Sequence, residues 1–69
     1  MTKISETPID RFLKLREVMR ITSLGSSTIY RRMDAGTFPK PKVLSVACVR
    51  WRESDIEKWM ADLPTRGAA

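Results

Sequence analysis

Histidine is absent from this 69-residue chain, and cysteine occurs once, at Cys48. Without histidine the commonest metal ligand and general base is missing, and one cysteine forms no internal disulfide. A zinc finger is excluded by count, and no cofactor is implied. Glycine is equally scarce, at three residues, and none sits in a phosphate-cradling loop. With no credible nucleophile–base pair either, the chain does not read as an enzyme. Neighbouring carboxylates such as Asp55 and Glu57 fit the ordinary preference of helix N-termini for negative charge. No apolar run approaches the roughly 20 residues that span a bilayer, and no basic segment leads into a signal-like apolar stretch. The expectation is a cytoplasmic protein without membrane contact. Cys48 itself reads as a small apolar ribbon residue rather than a reactive thiol.

Acid is also in short supply. Eight Asp and Glu stand against 13 Lys and Arg, a formal charge of +5. The imbalance is concentrated: residues 11–52 carry ten cations (Arg11, Lys14, Arg16, Arg20, Arg31, Arg32, Lys40, Lys42, Arg50, Arg52) against Glu17 and Asp34. After Arg52 the sign reverses, with Glu53, Asp55, Glu57 and Asp62 against Lys58 and Arg66. A basic body with an acidic last segment predicts a polyanion on one side and solvent or another protein on the other.

The length allows one domain, which buries only about 60% of the surface of its unfolded chain. Residues 1–10 are polar and aperiodic, and are expected to form a flexible arm. Phe12 and Leu13 suit a short strand. Leu15, Val18 and Met19 have helical spacing, and Thr22-Ser23-Leu24-Gly25 breaks it, with Leu24 plugging the corner. A second helix should start near Ser26, capped by Gly25 or Ser26. Ile29 and Met33 form its inward stripe, and Gly36 ends it in a left-handed turn. Pro39 and Pro41 then hold Phe38 and Lys40 extended. Lys42–Leu44 and Val49–Trp51 flank Ser45-Val46-Ala47-Cys48 as a hairpin whose turn lacks Gly or Asn. Ser54-x-x-Glu57 has the pattern of a capping box, opening a helix whose apolar face is Ile56, Trp59, Met60 and Leu63. Pro64 stops it, leaving 64–69 as a flexible tail. The fold expected over 11–63 is mostly α with a small β-hairpin wing: three helices plus a two-stranded ribbon, in winged helix-turn-helix order.

Several residues carry this order: Phe12-Leu13, Glu17-Val18 and Thr22; Ser27-Thr28-Ile29-Tyr30-Arg31 with Met33, Gly36 and Phe38-Pro39-Lys40-Pro41; then Val49, Trp51-Arg52, Ser54-Asp55-Ile56 and Trp59. As an ordered set they resemble the AlpA family of small prophage regulators, relatives of the MerR-like and phage excisionase winged helix-turn-helix proteins. The resemblance implies double-stranded DNA binding without enzymatic activity. It also implies control of a mobile element, through integrase transcription or excision. Two departures stand out. Gly25 and Ser26 replace the family's usual serine and basic residue, and the ribbon turn lacks the usual glycine and cation. Arg50 supplies a cation from the strand instead.

An α-helix fits the major groove and reads bases mainly from its N-terminal turns. With Ile29 and Met33 inward, Ser26, Ser27, Thr28, Tyr30 and Arg31 are the candidate DNA contacts of the second helix. Arg31 can grip a guanine edge or clamp a phosphate, and Thr28 can reach a phosphate or cap the helix. Tyr30 can meet a phosphate or pack. Arg16 and Arg20, one turn apart on the first helix, suit phosphates, as do Lys40, Lys42 and Arg50 on the ribbon. Arg32 has Glu17 or Asp34 as a candidate ionic partner. Trp51 and Trp59 read as core anchors rather than base-stacking platforms. A module this small suggests several copies on DNA, as a homo-oligomer or cooperative array, with RNA polymerase or a recombinase as further candidate partners. Two alternatives stay open: an architectural excisionase, and a protein-docking module that keeps the fold without binding DNA.

Overall fold

In the computed structural model residues 9–67 are described. They form β1 (Phe12–Leu13), α1 (Leu15–Thr22), α2 (Ser26–Asp34), β2 (Lys42–Ser45), β3 (Cys48–Arg52) and α3 (Glu53–Ala61). The arm expected over 1–10 lies outside the described residues except for Ile9 and Asp10. The tail is described as far as Gly67.

The core takes one side chain from nearly every element: Leu13 from β1, Val18 from α1, Ile29 from α2, Phe38 from the loop, Trp51 from β3 and Ile56 from α3. Each contributes about 1.5–3 kcal/mol by leaving water. Leu15, Met19, Leu24, Met33 and Trp59 pack around these six, so Leu24 does plug the helix corner. No described polar or charged residue is buried. Only β2 contributes nothing, because it stands outside the core with all four residues exposed.

The corner between α1 and α2 is made without glycine. Ser23 adopts the left-handed conformation, at φ 62° and ψ 21°, and its amide donates to the Met19 carbonyl at 2.8 Å. Thr22 steadies the turn, donating its hydroxyl to the Val18 carbonyl at 2.7 Å while accepting from the Leu24 amide at 3.3 Å. Gly25 is the N-cap of α2 in ordinary extended backbone and supplies no side-chain bond. At the other end Gly36 sits at φ 78°. The Gly36 amide donates to the Met33 carbonyl and the Thr37 amide to the Arg32 carbonyl, the paired bonds of a Schellman ending.

The sheet has three strands in the order β1-β3-β2, one more than the expected ribbon. β1 pairs antiparallel with β3, matching Phe12 to Arg52 and Leu13 to Trp51. That register puts Leu13 and Trp51 on one face, against the helices. β2 pairs with β3 through Lys42–Arg50, Val43–Val49 and Ser45–Cys48, with an irregularity between Val43 and Ser45. The turn is therefore Val46-Ala47, two residues rather than four. No residue in it has positive φ, so it needs neither glycine nor asparagine. A turn of that hand splays the strands, and the extra residue, Leu44, absorbs the mismatch as a bulge.

The last helix departs from expectation in two ways. It begins at Glu53, with Arg52 as N-cap, so Ser54 and Glu57 do not form a capping box. Instead Asp10, from before β1, accepts both the Ser54 amide and the Ser54 hydroxyl. Antiparallel pairing of β1 with β3 brings Asp10 to this end, where its charge suits the helix terminus. Second, Met60 and Leu63 are exposed, at 42% and 45%. α3 turns Ile56 into the core and packs Trp59 against it and the loop at Phe38, and no described element remains to cover the next turn.

Candidate nucleic-acid interface

The second helix presents a polar face because its apolar residues are used up inward. Ile29 is buried and Met33 half-buried, leaving Ser27, Tyr30, Arg31, Arg32 and Asp34 exposed, while Ser26 and Thr28 are partly covered. Tyr30 keeps 48% of its surface in water, so its ring is not a core element. Arg31 folds back along the helix and donates from Nη2 to the Thr28 hydroxyl at 3.3 Å. That bond steers the guanidinium toward the N-terminal turns and makes Thr28 an orienting residue rather than a cap. No side chain caps α2, so its first-turn amides are left to an outside acceptor.

Arg16 and Arg20 are exposed on α1, Lys40 and Lys42 are exposed before and on β2, and Arg50 is half-buried. The Arg50 guanidinium donates from Nη1 to the Val49 carbonyl at 2.8 Å. Lys42 and Arg50 are ladder partners and so share one face of the ribbon.

Where the acids go decides the electrostatics. Among the described residues every ion pair lies on or beside α3. Arg11 meets Glu53 at 3.3 Å, Arg52 meets Asp55 at 2.9 Å and Asp10 at 3.8 Å, and Lys58 meets Asp62 at 3.2 Å. Hydrogen bonds from Ser54 hold the Asp10 carboxyl below the usual carboxylate range, helped by nearby Arg52. The Asp55 carboxyl is lowered by its bond from Arg52, with smaller pulls from Arg52 and Lys42 charges. Arg11 and Arg52 are raised by Glu53 and Asp55 respectively. None of Arg16, Arg20, Arg31, Arg32, Lys40, Lys42 or Arg50 enters an ion pair with a described residue. The pairing expected of Arg32 with Glu17 or Asp34 is not formed. Glu17 accepts the Lys14 amide at 2.9 Å, closing the first turn of α1.

Both tryptophans serve as anchors. Trp51 is 1% exposed and donates from Nε1 to the Pro39 carbonyl at 2.9 Å, tying the ribbon to the loop. Trp59 donates to the Thr37 carbonyl at 2.8 Å and meets Phe38 edge-on, with centroids 4.6 Å apart. The sequence reading missed Asp10 and Glu53 as clasps of the basic strands. No local signal marks them, because their partners are 44 and 42 residues away. No group of described residues is suited to hold a metal ion, and no described helix is long and apolar enough to cross a membrane.

Two helices joined by a tight corner, a third helix and a β-ribbon bearing cations define a winged helix-turn-helix module. Residues 11–63 match the family described as prophage CP4-57 regulatory protein (AlpA). The chain belongs to that family of regulatory proteins. It is 40% identical over 52 residues to the uncharacterized protein ORF88 of Enterobacteria phage P4, over 75% of this chain and 59% of that protein. It therefore spans less than two thirds of the phage P4 relative. It is also 38% identical over 58 residues to the DNA-binding transcriptional activator AlpA of Escherichia coli strain K12, over 74% of this chain and 81% of that one. No solved structure gives a significant match.

Proposed function

We propose that this chain is a sequence-specific double-stranded DNA-binding regulator of a prophage or other mobile element, acting on integrase transcription or on excision. One observation carries the reading: among the described residues every ion-paired carboxylate lies on α3 or beside it, at Asp10 and Asp62, while the cations of α1, α2 and the ribbon at Arg16, Arg20, Arg31, Arg32, Lys40, Lys42 and Arg50 keep no described ionic partner. Unpaired cations on three consecutive elements suit a phosphate backbone, which supplies most of the affinity of such modules. In this reading α2 enters the major groove and Arg31 reaches a guanine edge. Ser26, Ser27, Thr28 and Tyr30 meet sugar and phosphate, and Arg16, Arg20, Lys40, Lys42 and Arg50 bracket the backbone. If about six cations meet phosphates, affinity falls roughly 10³-fold between 50 and 200 mM salt.

The test is selection of bound duplexes from a random pool at about 150 mM salt, with the wild type and with Arg31→Ala. An enriched motif that degrades at one position in the variant supports site-specific recognition with Arg31 on a base. No enrichment by the wild type removes the proposal. The name of the Escherichia coli relative favours transcriptional activation over architectural excision. Measured bending of the selected duplex separates the two, since an excision factor must deform its site.

A further inference from the structure

Of the two acids within residues 11–52, one has a structural task and the other has none among the described residues. Glu17 accepts the Lys14 amide at 2.9 Å and closes the first turn of α1. Asp34 is exposed at the last position of α2 and enters no ion pair with a described residue. Its one neighbour of opposite charge at helical spacing is Arg31, three residues earlier. Arg31 turns its guanidinium the other way, to the Thr28 hydroxyl at 3.3 Å. A carboxylate at a helix C-terminus also opposes the helix dipole, and on a basic face it repels any polyanion that the face binds. Asp34 therefore works against both helix stability and phosphate binding.

The position of Asp34 points to a use outside the chain. Ser27, Arg31 and Asp34 are spaced i, i+4 and i+7, so they form one stripe along α2. That stripe lies on the side away from buried Ile29 and half-buried Met33. The nine residues of α2 span about 13 Å, close to the roughly 12 Å width of the major groove. A helix seated there keeps its last residue over base edges. In that groove only the amino groups of cytosine and adenine donate hydrogen bonds. Adenine sets its N7 acceptor beside the donor, which repels a carboxylate, whereas cytosine offers its N4 amino group alone.

We infer that Asp34 is a specificity-determining residue that accepts a hydrogen bond from the N4 amino group of a cytosine. Arg31, steered toward the N-terminal end of α2, is left free to hold a guanine. The two residues stand about 4.5 Å apart along the helix axis, so they read neighbouring base pairs. The stripe then carries a donor and an acceptor, and the negative charge lowers affinity for every sequence that lacks cytosine at its position. The inference rests on the DNA-binding reading proposed above, with α2 in the groove.

The measurement is binding of the wild type, Asp34→Ala and Asp34→Asn to the duplex selected from the random pool and to all its single-base-pair variants. The wild type is expected to require cytosine at one position beside that read by Arg31. Asp34→Ala loses that preference, about tenfold for one good contact, and binds unrelated duplexes more tightly because a repelling charge is gone. Asp34→Asn shifts the preference at the same position from cytosine to adenine, whose N6 and N7 suit an amide. Preferences elsewhere stay as in the wild type. Neither substitution removes an ion pair with a described residue, and a melting midpoint at or above the wild-type value shows that both variants fold. Variants that tighten binding to every duplex alike, with each base preference intact, overturn the inference and leave Asp34 as a repelling charge only. So does a loss of preference spread over several positions, which marks a displaced helix. A wild type that selects no motif ends the DNA-binding reading and the inference with it. A wild-type motif insensitive to Asp34 ends only the inference.

Discussion

Lys42 and Arg50 stand directly opposite each other across the antiparallel ribbon, and neither is in an ion pair with a described residue. Like charges in that position destabilise a ladder, yet a carboxylate on either strand would relieve the strain and none is there. The cost makes sense if a polyanion completes the site. Replacing Arg50 with Thr is expected to raise the stability of the free domain by about 0.2–1 kcal/mol and to weaken duplex binding. Thermal melting and a binding titration on the same preparation check both signs. A variant that is destabilised would show that the repulsion is already screened.

Arg31→Ala and Arg16→Ala should fail differently. Loss of Arg31 is expected to remove about 1–3 kcal/mol of discrimination at one base position. Loss of Arg16 should weaken all duplexes alike and lower the slope of log affinity against log salt by about 1. Both side chains are exposed, so stability should stay within about 0.5 kcal/mol. Titrations at several salt concentrations, with matched and mismatched duplexes, separate the two behaviours.

Acid should loosen the clasp between Asp10 and α3. Bonds from Ser54 lower the Asp10 carboxyl in the folded chain, and Arg52 lowers that of Asp55. A lowered folded value means that the stabilisation is present above the ordinary carboxylate pKa of about 3.9. It is lost as pH falls through the folded values. The melting midpoint should therefore drop below about pH 4, and drop less in Asp10→Asn with Asp55→Asn, which starts lower at neutral pH. Equal losses in the wild type and double variant would assign acid sensitivity to other carboxylates.

Two glycines flanking α2 should respond in opposite directions. Gly36 sits at φ 78° and Gly25 at φ −78°, and a Cβ at either position meets no atom within 4 Å. Space is therefore not the issue, and backbone conformation is. Gly36→Ala is expected to cost about 1–2 kcal/mol, whereas Gly25→Ser should gain a few tenths by adding a capping hydroxyl. Denaturant midpoints of the two variants against the wild type decide it.

Much of the fold was legible because its signals are local. The spacing of Leu15, Val18 and Met19, the Ile29–Met33 stripe, the Gly36 stop and the Phe38–Pro41 loop each act within a turn or two of chain. They locate α1, α2 and the extended segment correctly. Trp51 and Trp59 were identified as anchors for the same reason. The capping box at Ser54 was misread because its pattern is equally local, while the acceptor that reaches Ser54 comes from Asp10. The hairpin turn gave a weak signal because Val46 and Ala47 keep negative φ and a bulge takes up the twist. Of the candidate site, the residue types were legible. Their freedom from carboxylates was not, since that depends on where Glu53, Asp55 and Asp62 end up.

The chain's own order of residues determined three helices, a ribbon and a charge that changes sign after Arg52, since periodicity, caps and composition are properties of neighbours in sequence. Tertiary structure decided the rest. It paired β1 with β3, set Lys42 against Arg50, drew Asp10 and Glu53 onto basic strands, and left Met60, Leu63 and the ribbon aliphatics uncovered. These are register and proximity between residues far apart in the chain, and they follow only from how a small core closes around Leu13, Ile29, Trp51 and Ile56.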